Sequence, residues 1–333
     1  MKKFLIVISL LLASLFAGCS CAPTITLSFS NNWDPQNSAN FGHVETYVYD
    51  VNFATEYVEN DYTIRQSAGL SNAVGINFKN GVYIMTLSVL DKTNLETNKD
   101  STVFEGLSAD YKVIRIQSLL TITSEYTPKD KPTESYEELV KTDCYMLDTK
   151  NALAPIYSYT ENRFSVLSIS GGETEIKKAF NSTEILYNKD SYKMIQKVFN
   201  PDTSELIDTK EENYSYTFKT IIDNNNLLFA LRNVNLTQES AKTLPVVSGT
   251  YGTATDLSIN YINDVNVNVN SVDYTAKRVS FARSSQSTQG QPQLVYIQTG
   301  ENAKSLMVKY VTPMAEIGPS YNTLGALVYT LRS

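Results

Sequence analysis

Histidine is nearly missing from this chain of 333 residues: His43 is the only one, and the scarce types also include Cys19, Cys21, Cys144 and Trp33. One histidine cannot build a histidine-based metal site, and two or three thiols at these spacings do not form a zinc knuckle. Glycine (14) and proline (10) are sparse while tyrosine (22) is frequent, which favours long strands over a loop-rich scaffold. The chain has no G-x-S-x-G elbow, no P-loop, no dinucleotide fingerprint and, past residue 18, no Ser-x-x-Lys. Clustered cations are absent too, and the formal charge is −7, so binding to nucleic acid is not expected. These absences point away from an enzyme and away from any cofactor.

Carboxylates remain as candidates for chemistry. Glu137-Glu138, Glu173 with Glu175, and Glu211-Glu212 are the pairs that could serve glycoside hydrolysis. Adjacent residues of a strand point to opposite faces, so pairs at i and i+1 do not converge, and solvated strand edges explain them better. The run Asp264-Val265-Asn266-Val267-Asn268-Val269-Asn270 has oxygen side chains at alternate positions, but Val269 and Thr275 stand where a calcium loop needs Gly and Glu. Alternating Val and Asn is the pattern of a half-buried strand. Cys144 lies in the apolar pattern Val140, Cys144, Tyr145, Leu147 and reads as a buried core thiol.

The N-terminus is what the chain does carry. Lys2 and Lys3 precede an apolar stretch from Phe4 to Phe16, shorter than the roughly 20 residues a membrane-spanning helix needs. Small residues then lead into a cysteine, Leu15-Phe16-Ala17-Gly18-Cys19, which resembles the lipobox of bacterial lipoproteins. The resemblance implies cleavage after residue 18, acylation of Cys19, and a mature chain anchored to a membrane by its lipid. Loss of Lys2 and Lys3 would take the formal charge to about −9. The expected place is the cell envelope, either the outer membrane or the outer face of the cytoplasmic membrane. With Cys19 acylated, a disulfide framework is excluded by arithmetic.

Residues 19–43 are polar and read as the lipidated end and a tether, in which Trp33 could dock. Residues 44–333 show no linker and read as a single domain, mainly β. Strands are expected at Glu45–Ala54, Val82–Leu90 (entered through a turn at Lys79-Asn80-Gly81), Lys112–Thr123, Glu138–Asp148, Pro155–Ser170, Glu173–Asn188 and Ser191–Asn200. Extended chain resumes at Tyr214–Ile222, Asp256–Val269, Tyr274–Arg283, Gln293–Gln298, Ser305–Val311 and Thr323–Leu331. One short helix is expected at Asn226–Asn233, its start capped by the Asn run, with Leu227, Leu228 and Leu231 at helical spacing. Arg232 is expected to pair with a carboxylate such as Asp223 or with carbonyls near the helix end.

The order of short motifs carries a second resemblance. Tyr47-Val48-Tyr49-Asp50-Val51 opens the domain, and Tyr145-Met146-Leu147-Asp148 leads to Leu153-Ala154-Pro155-Ile156. Asp223 precedes Leu227-Leu228-Phe229-Ala230-Leu231-Arg232, followed by Leu244-Pro245-Val246, Gly249 and Tyr274-Thr275-Ala276-Lys277-Arg278-Val279. Val295-Tyr296-Ile297 and Leu306-Met307-Val308-Lys309 close the series. This order resembles an uncharacterised family of bacterial envelope proteins, with residues 91–110 and 124–136 outside its pattern. The resemblance implies a strongly curved antiparallel sheet, an open half-barrel with one or few short helices, similar to the Lol-type lipoprotein carriers. It brings no catalytic residues and implies a concave apolar face able to hold a lipid or acyl chain.

Alternation then names the wall of that face: Tyr47, Tyr49, Val51 and Phe53 on the first strand, Ile114, Ile116, Leu120 and Ile122 on the third, with Leu227, Leu228 and Leu231 as a lid. A competing expectation is a surface module whose aromatic side chains meet another protein or a glycan. The two differ in whether the interior is hollow or filled by its own side chains.

Overall fold

The computed structural model describes residues 42–67, 74–90, 112–149, 152–170, 173–188, 191–215, 221–232, 242–248, 254–283, 292–300, 303, 305–315 and 323–332. The strands are β1 (Val44–Ala54), β2 (Glu56–Glu59), β3 (Tyr62–Arg65), β4 (Val74–Leu90), β5 (Lys112–Pro128), β6 (Glu134–Thr149), β7 (Ala152–Ser170), β8 (Glu173–Tyr187) and β9 (Ser191–Phe199). They continue as β10 (Leu206–Ser215), β11 (Ile222–Asp223), β12 (Lys242–Val247), β13 (Ala254–Val269), β14 (Val272–Arg283), β15 (Gln293–Gln298), β16 (Met307–Ala315) and β17 (Thr323–Leu331). A 3-10 turn at Asn224–Asn226 and one α-helix, α1 (Leu227–Arg232), follow β11.

Fifteen strands form one sheet in the order β10-β9-β8-β7-β6-β5-β4-β1-β17-β16-β15-β14-β13-β12-β11, and β2-β3 form a separate hairpin. All neighbours in the large sheet are antiparallel except β11 and β12. Among the described residues the path begins in the middle with β1, walks outward from β4 to β10, crosses to the opposite edge at β11, and walks back until β17 pairs with β1. The sheet is strongly curved and does not close into a barrel. Its curl brings β11 against β7 and the 3-10 turn against β6.

Bulges supply part of that curl. In β4 the register shifts between Lys79 and Val82, with Asn80 at φ 54°. Lys79-Asn80-Gly81 is therefore a bulge inside one long strand and not the turn the sequence suggested. Left-handed backbone is common to both, so the local signal is the same. Gly81 is required there: a Cβ would run into the Val51 carbonyl and come within 2.8 Å of the Val51 side chain. At Pro155 the β6–β7 register shifts as well, which lets a residue without an N–H sit in an interior strand.

The helix also differs from expectation in its start. The Asn run forms the 3-10 turn itself, and Asp223 caps it by accepting a bond from Asn225 N at 2.8 Å. Asn233 lies outside the described residues. Four strands were not foreseen. β2 and β3 are only four residues each, β10 is solvated along its length, and β12 contains Pro245. Most of the segment expected from Tyr214 to Ile222 falls outside the described residues, and its two ends belong to opposite edges of the sheet.

The main core runs along the concave face. Val51 pairs with Tyr329, Tyr329 with Tyr310, Tyr310 with Val295 and Val295 with Val279, so these five share one face. Tyr83 meets Tyr329 edge-on at 5.6 Å, and Tyr310 lies 5.1 Å from Tyr329. Such pairs add about 0.5–1.5 kcal/mol beyond burial. α1 is sunk in this core: Leu227, Phe229, Ala230, Leu231 and Arg232 are all buried.

Candidate functional site

The eleven residues expected to line an apolar wall do come together. Tyr49, Val51, Ile114, Ile116, Ile122, Leu227 and Leu231 are buried members of one hydrophobic cluster, and Tyr47, Phe53, Leu120 and Leu228 pack against it. The helix residues fill the concavity they were expected to cover. Of the eleven, Ile122 borders a cleft. That cleft, of about 970 Å3, opens where β6 and β7 stop pairing at Leu139 and Arg163 and diverge. Glu138 bridges the gap by accepting from the Ser165 hydroxyl and, at 3.4 Å, from Ser165 N.

Arg232 ends α1 and is fixed at the start of β1. Its Nη2 lies 3.7 Å from Glu45 Oε2, its Nε donates to Ser305 O at 3.0 Å, and the guanidinium faces the Tyr47 and Phe229 rings. The partner is thus Glu45 and not Asp223. Glu45 also accepts from Tyr47 OH and lies 3.1 Å from His43 Nε2. The only histidine of the chain therefore serves an ion-pair cluster far along the sequence from Cys144.

Asp223 belongs to a second buried cluster, on β11. It is 1 % exposed and receives Tyr187 OH and Asn225 N. Burial pushes its carboxyl up to about 6, against the opposing hydrogen bonds from Tyr187, Asn225 and Ser158. Ser158 Oγ lies 3.7 Å from Cys144 Sγ and accepts from Asn225 Nδ2 at 2.8 Å. Burial, with the Asp223 charge adding to it, pushes the Cys144 thiol well up, so it is a poor nucleophile.

Above this cluster the concave face turns polar. Two rows of paired residues cross β7, β8, β9 and β10: Thr160, Thr183, Gln196 and Lys210 in one, Asn162, Asn181, Val198 and Asp208 in the next. Ladder partners share a face. The 3-10 turn closes one end of the resulting cleft with Asn224 and Asn225, and Asn225 Nδ2 also donates to Thr160 Oγ1 at 2.7 Å. Asn162 Nδ2 donates to Asn181 Oδ1 at 3.0 Å. The cleft has a volume of about 500 Å3, with Phe164 at its rim. Sequence reasoning missed it, because short neutral side chains on separate strands carry no spacing signal until the register is known.

The adjacent pairs Glu137-Glu138 and Glu211-Glu212 lie in strands, so their members point to opposite faces. Glu211 is held by Lys193 at 2.6 Å, Glu212 by Lys210 at 2.8 Å, and Glu175 by Lys177 at 2.9 Å. The Val/Asn run is a strand, with Asn268 Nδ2 bonded across β14 to Asp273 at 2.6 Å. Among the described residues no three metal-ligating acids, thiols or imidazoles gather, and no helix is long and apolar enough to cross a membrane. Cys19, Cys21, Trp33 and most of the tether lie outside the described residues. No family model, no curated protein and no solved structure matches this chain.

Proposed function

We propose that this protein is a membrane-anchored envelope lipoprotein, acylated at Cys19, that works as a non-enzymatic binding module. Its ligand on this reading is neutral and hydroxyl-rich, a short segment of glycan, held in the polar cleft of β7–β10. The carrying observation is the set of amide and hydroxyl side chains Thr160, Thr183, Gln196, Asn162 and Asn181, paired across β7–β9 on one concave face, with Lys210 and Asp208 at the β10 end of the two rows. Asn, Gln and Thr offer both donors and acceptors without charge, which matches the alternating hydroxyls of a sugar. Phe164 at the rim offers an apolar ring for a pyranose face. An apolar ligand on the same concave face would have to take the place of α1, whose leucines are part of the core.

Screening the purified protein against immobilised glycans tests this. Binding to a defined oligosaccharide, lost in Asn181→Ala/Gln196→Ala with an unchanged melting point, supports the reading. Uptake of a fluorescent fatty acid with no glycan retained would transfer the function to the apolar core. For the anchor, a palmitate analogue should label wild type and not Cys19→Ala.

A further inference from the structure

The two ends of the large sheet are built differently. At one end β11 is two residues long, and its chain turns at once into the 3-10 turn and the buried α1. At the other end β10 is ten residues long, and among the described residues β9 is the only strand paired with it. Edges of this kind are usually blunted by shortness, charged side chains, proline, covering elements or bulges. β10 has no proline, its charged residues Asp208, Lys210, Glu211 and Glu212 are of both signs, and its one bulge lies at its start, between Leu206 and Asp208, leaving a regular run from Asp208 to Ser215. Beside the bulge Leu206 and Ile207 are 56 % and 64 % exposed, with Val198 of β9 at 45 %.

We infer that β10 is an interface for a second copy of this chain, joined antiparallel so that the two sheets become one. A two-fold axis normal to the sheet sets one residue opposite itself and pairs the rest symmetrically. The regular run is centred near Glu211. With Glu211 on the axis, Lys210 faces Glu212 of the second copy, twice, and Thr209 faces Asn213. Glu211 then faces its own copy, each held by its own Lys193 at 2.6 Å, as Glu212 is held by Lys210 at 2.8 Å. One step to either side is worse. Centring on Lys210 sets Lys against Lys and Asp208 against Glu212, and centring on Glu212 sets that carboxylate against its copy with Lys210 opposite Tyr214. Like charges directly opposite destabilise a ladder and opposite charges support it. The charge pattern of β10 therefore selects one register for self-pairing. The interface also adjoins Asp208 and Lys210 of the polar cleft, so two clefts would meet across the axis. The inference stands whatever the cleft holds.

Cysteine cross-linking of the full chain in membranes tests the register, in a Cys21→Ser background. Glu211→Cys should form a disulfide-linked dimer on mild oxidation, and Thr209→Cys or Asn213→Cys alone should not. The double variant Thr209→Cys/Asn213→Cys should cross-link again. Equal cross-linking at all three single sites, or none at Glu211→Cys, overturns the inference. Sedimentation of the detergent-solubilised chain gives a second readout. Wild type should be dimeric, Lys210→Glu should weaken association at least about tenfold, and Lys210→Glu/Glu212→Lys should restore it. A monomeric wild type, or a charge swap that fails to rescue, counts equally against it.

Discussion

The half of the sheet around β14–β17 and the half around β7–β10 share one hydrogen-bonded ladder yet differ in how many faces are covered. In β15 four successive residues, Leu294, Val295, Tyr296 and Ile297, are buried, and in β17 Leu324 to Leu327 are buried without a break. The concave core covers one face and the β2–β3 hairpin the other. Lys309 reaches Glu59 at 2.9 Å and Arg278 lies 3.3 Å from Asp61, while Tyr57, Tyr62 and Ile64 join the core cluster. In β8 and β9 burial alternates, and in β10 nothing is buried. An unbroken apolar run thus reports two covered faces and alternation reports one. The difference lies in the hairpin and α1 that cover one half, and not in the strands.

The largest effect is expected where a charge is buried in the covered half. Glu45→Leu leaves Arg232, whose side chain is 1 % exposed, without its carboxylate. A loss of about 3–5 kcal/mol is expected for breaking such a pair, measured by urea unfolding. An unchanged midpoint would mean that the remaining contacts of the guanidinium, Ser305 O and the Tyr47 and Phe229 rings among them, suffice to hold it.

Next come cavities on the two sides of the comparison. Leu87→Ala, at a site with no exposure, should lose about 2–5 kcal/mol, while Val198→Ala on the outer half should stay within about 0.5 kcal/mol. Similar losses at both sites would erase the distinction between the halves.

A pH effect of intermediate size marks the seam between them. Asp223 titrates near 6 in the folded protein, above its ordinary value of 3.8, because burial disfavours its charge. The folded state holds this proton more tightly than the unfolded chain. Its contribution is therefore complete below about pH 4 and is lost as pH rises through about 6. Asp223→Asn should flatten stability across that window, where wild type falls by about 1–3 kcal/mol. Parallel curves for the two proteins would refute the assignment.

The smallest effect is expected at the solvated edge. Lys178→Ala removes an ion pair to Asp202 whose partners are both more than half exposed, and should shift stability by less than about 0.5 kcal/mol.

The sequence made the covered strands legible and the uncovered ones obscure. Alternation in β1, β5 and β13 located them within a few residues, because one face of each is buried. β10 carries Asp208, Lys210, Glu211 and Glu212 with no apolar rhythm, so it left no trace. The hairpin β2–β3 was hidden by its length, since four residues hold too few periods to recognise. The eleven residues expected as a wall belong to or pack against one hydrophobic cluster, and sequence cannot separate a filled core from an open wall. The polar cleft depends on cross-strand register, with Thr160 brought beside Thr183 and Gln196 across turns of different length, and that information is not local.

The placement of β1 has a mechanical consequence. It lies in the middle of the sheet, bonded to β4 from Val44 to Val51 and to β17 from Tyr49 to Ala54. Inter-strand bonds run perpendicular to the strands. A pull on the chain ahead of Val44, directed along β1, would load the bonds on both sides in shear and together, instead of peeling them open one at a time. The first of the described strands is thus seated to resist tension from the chain ahead of it.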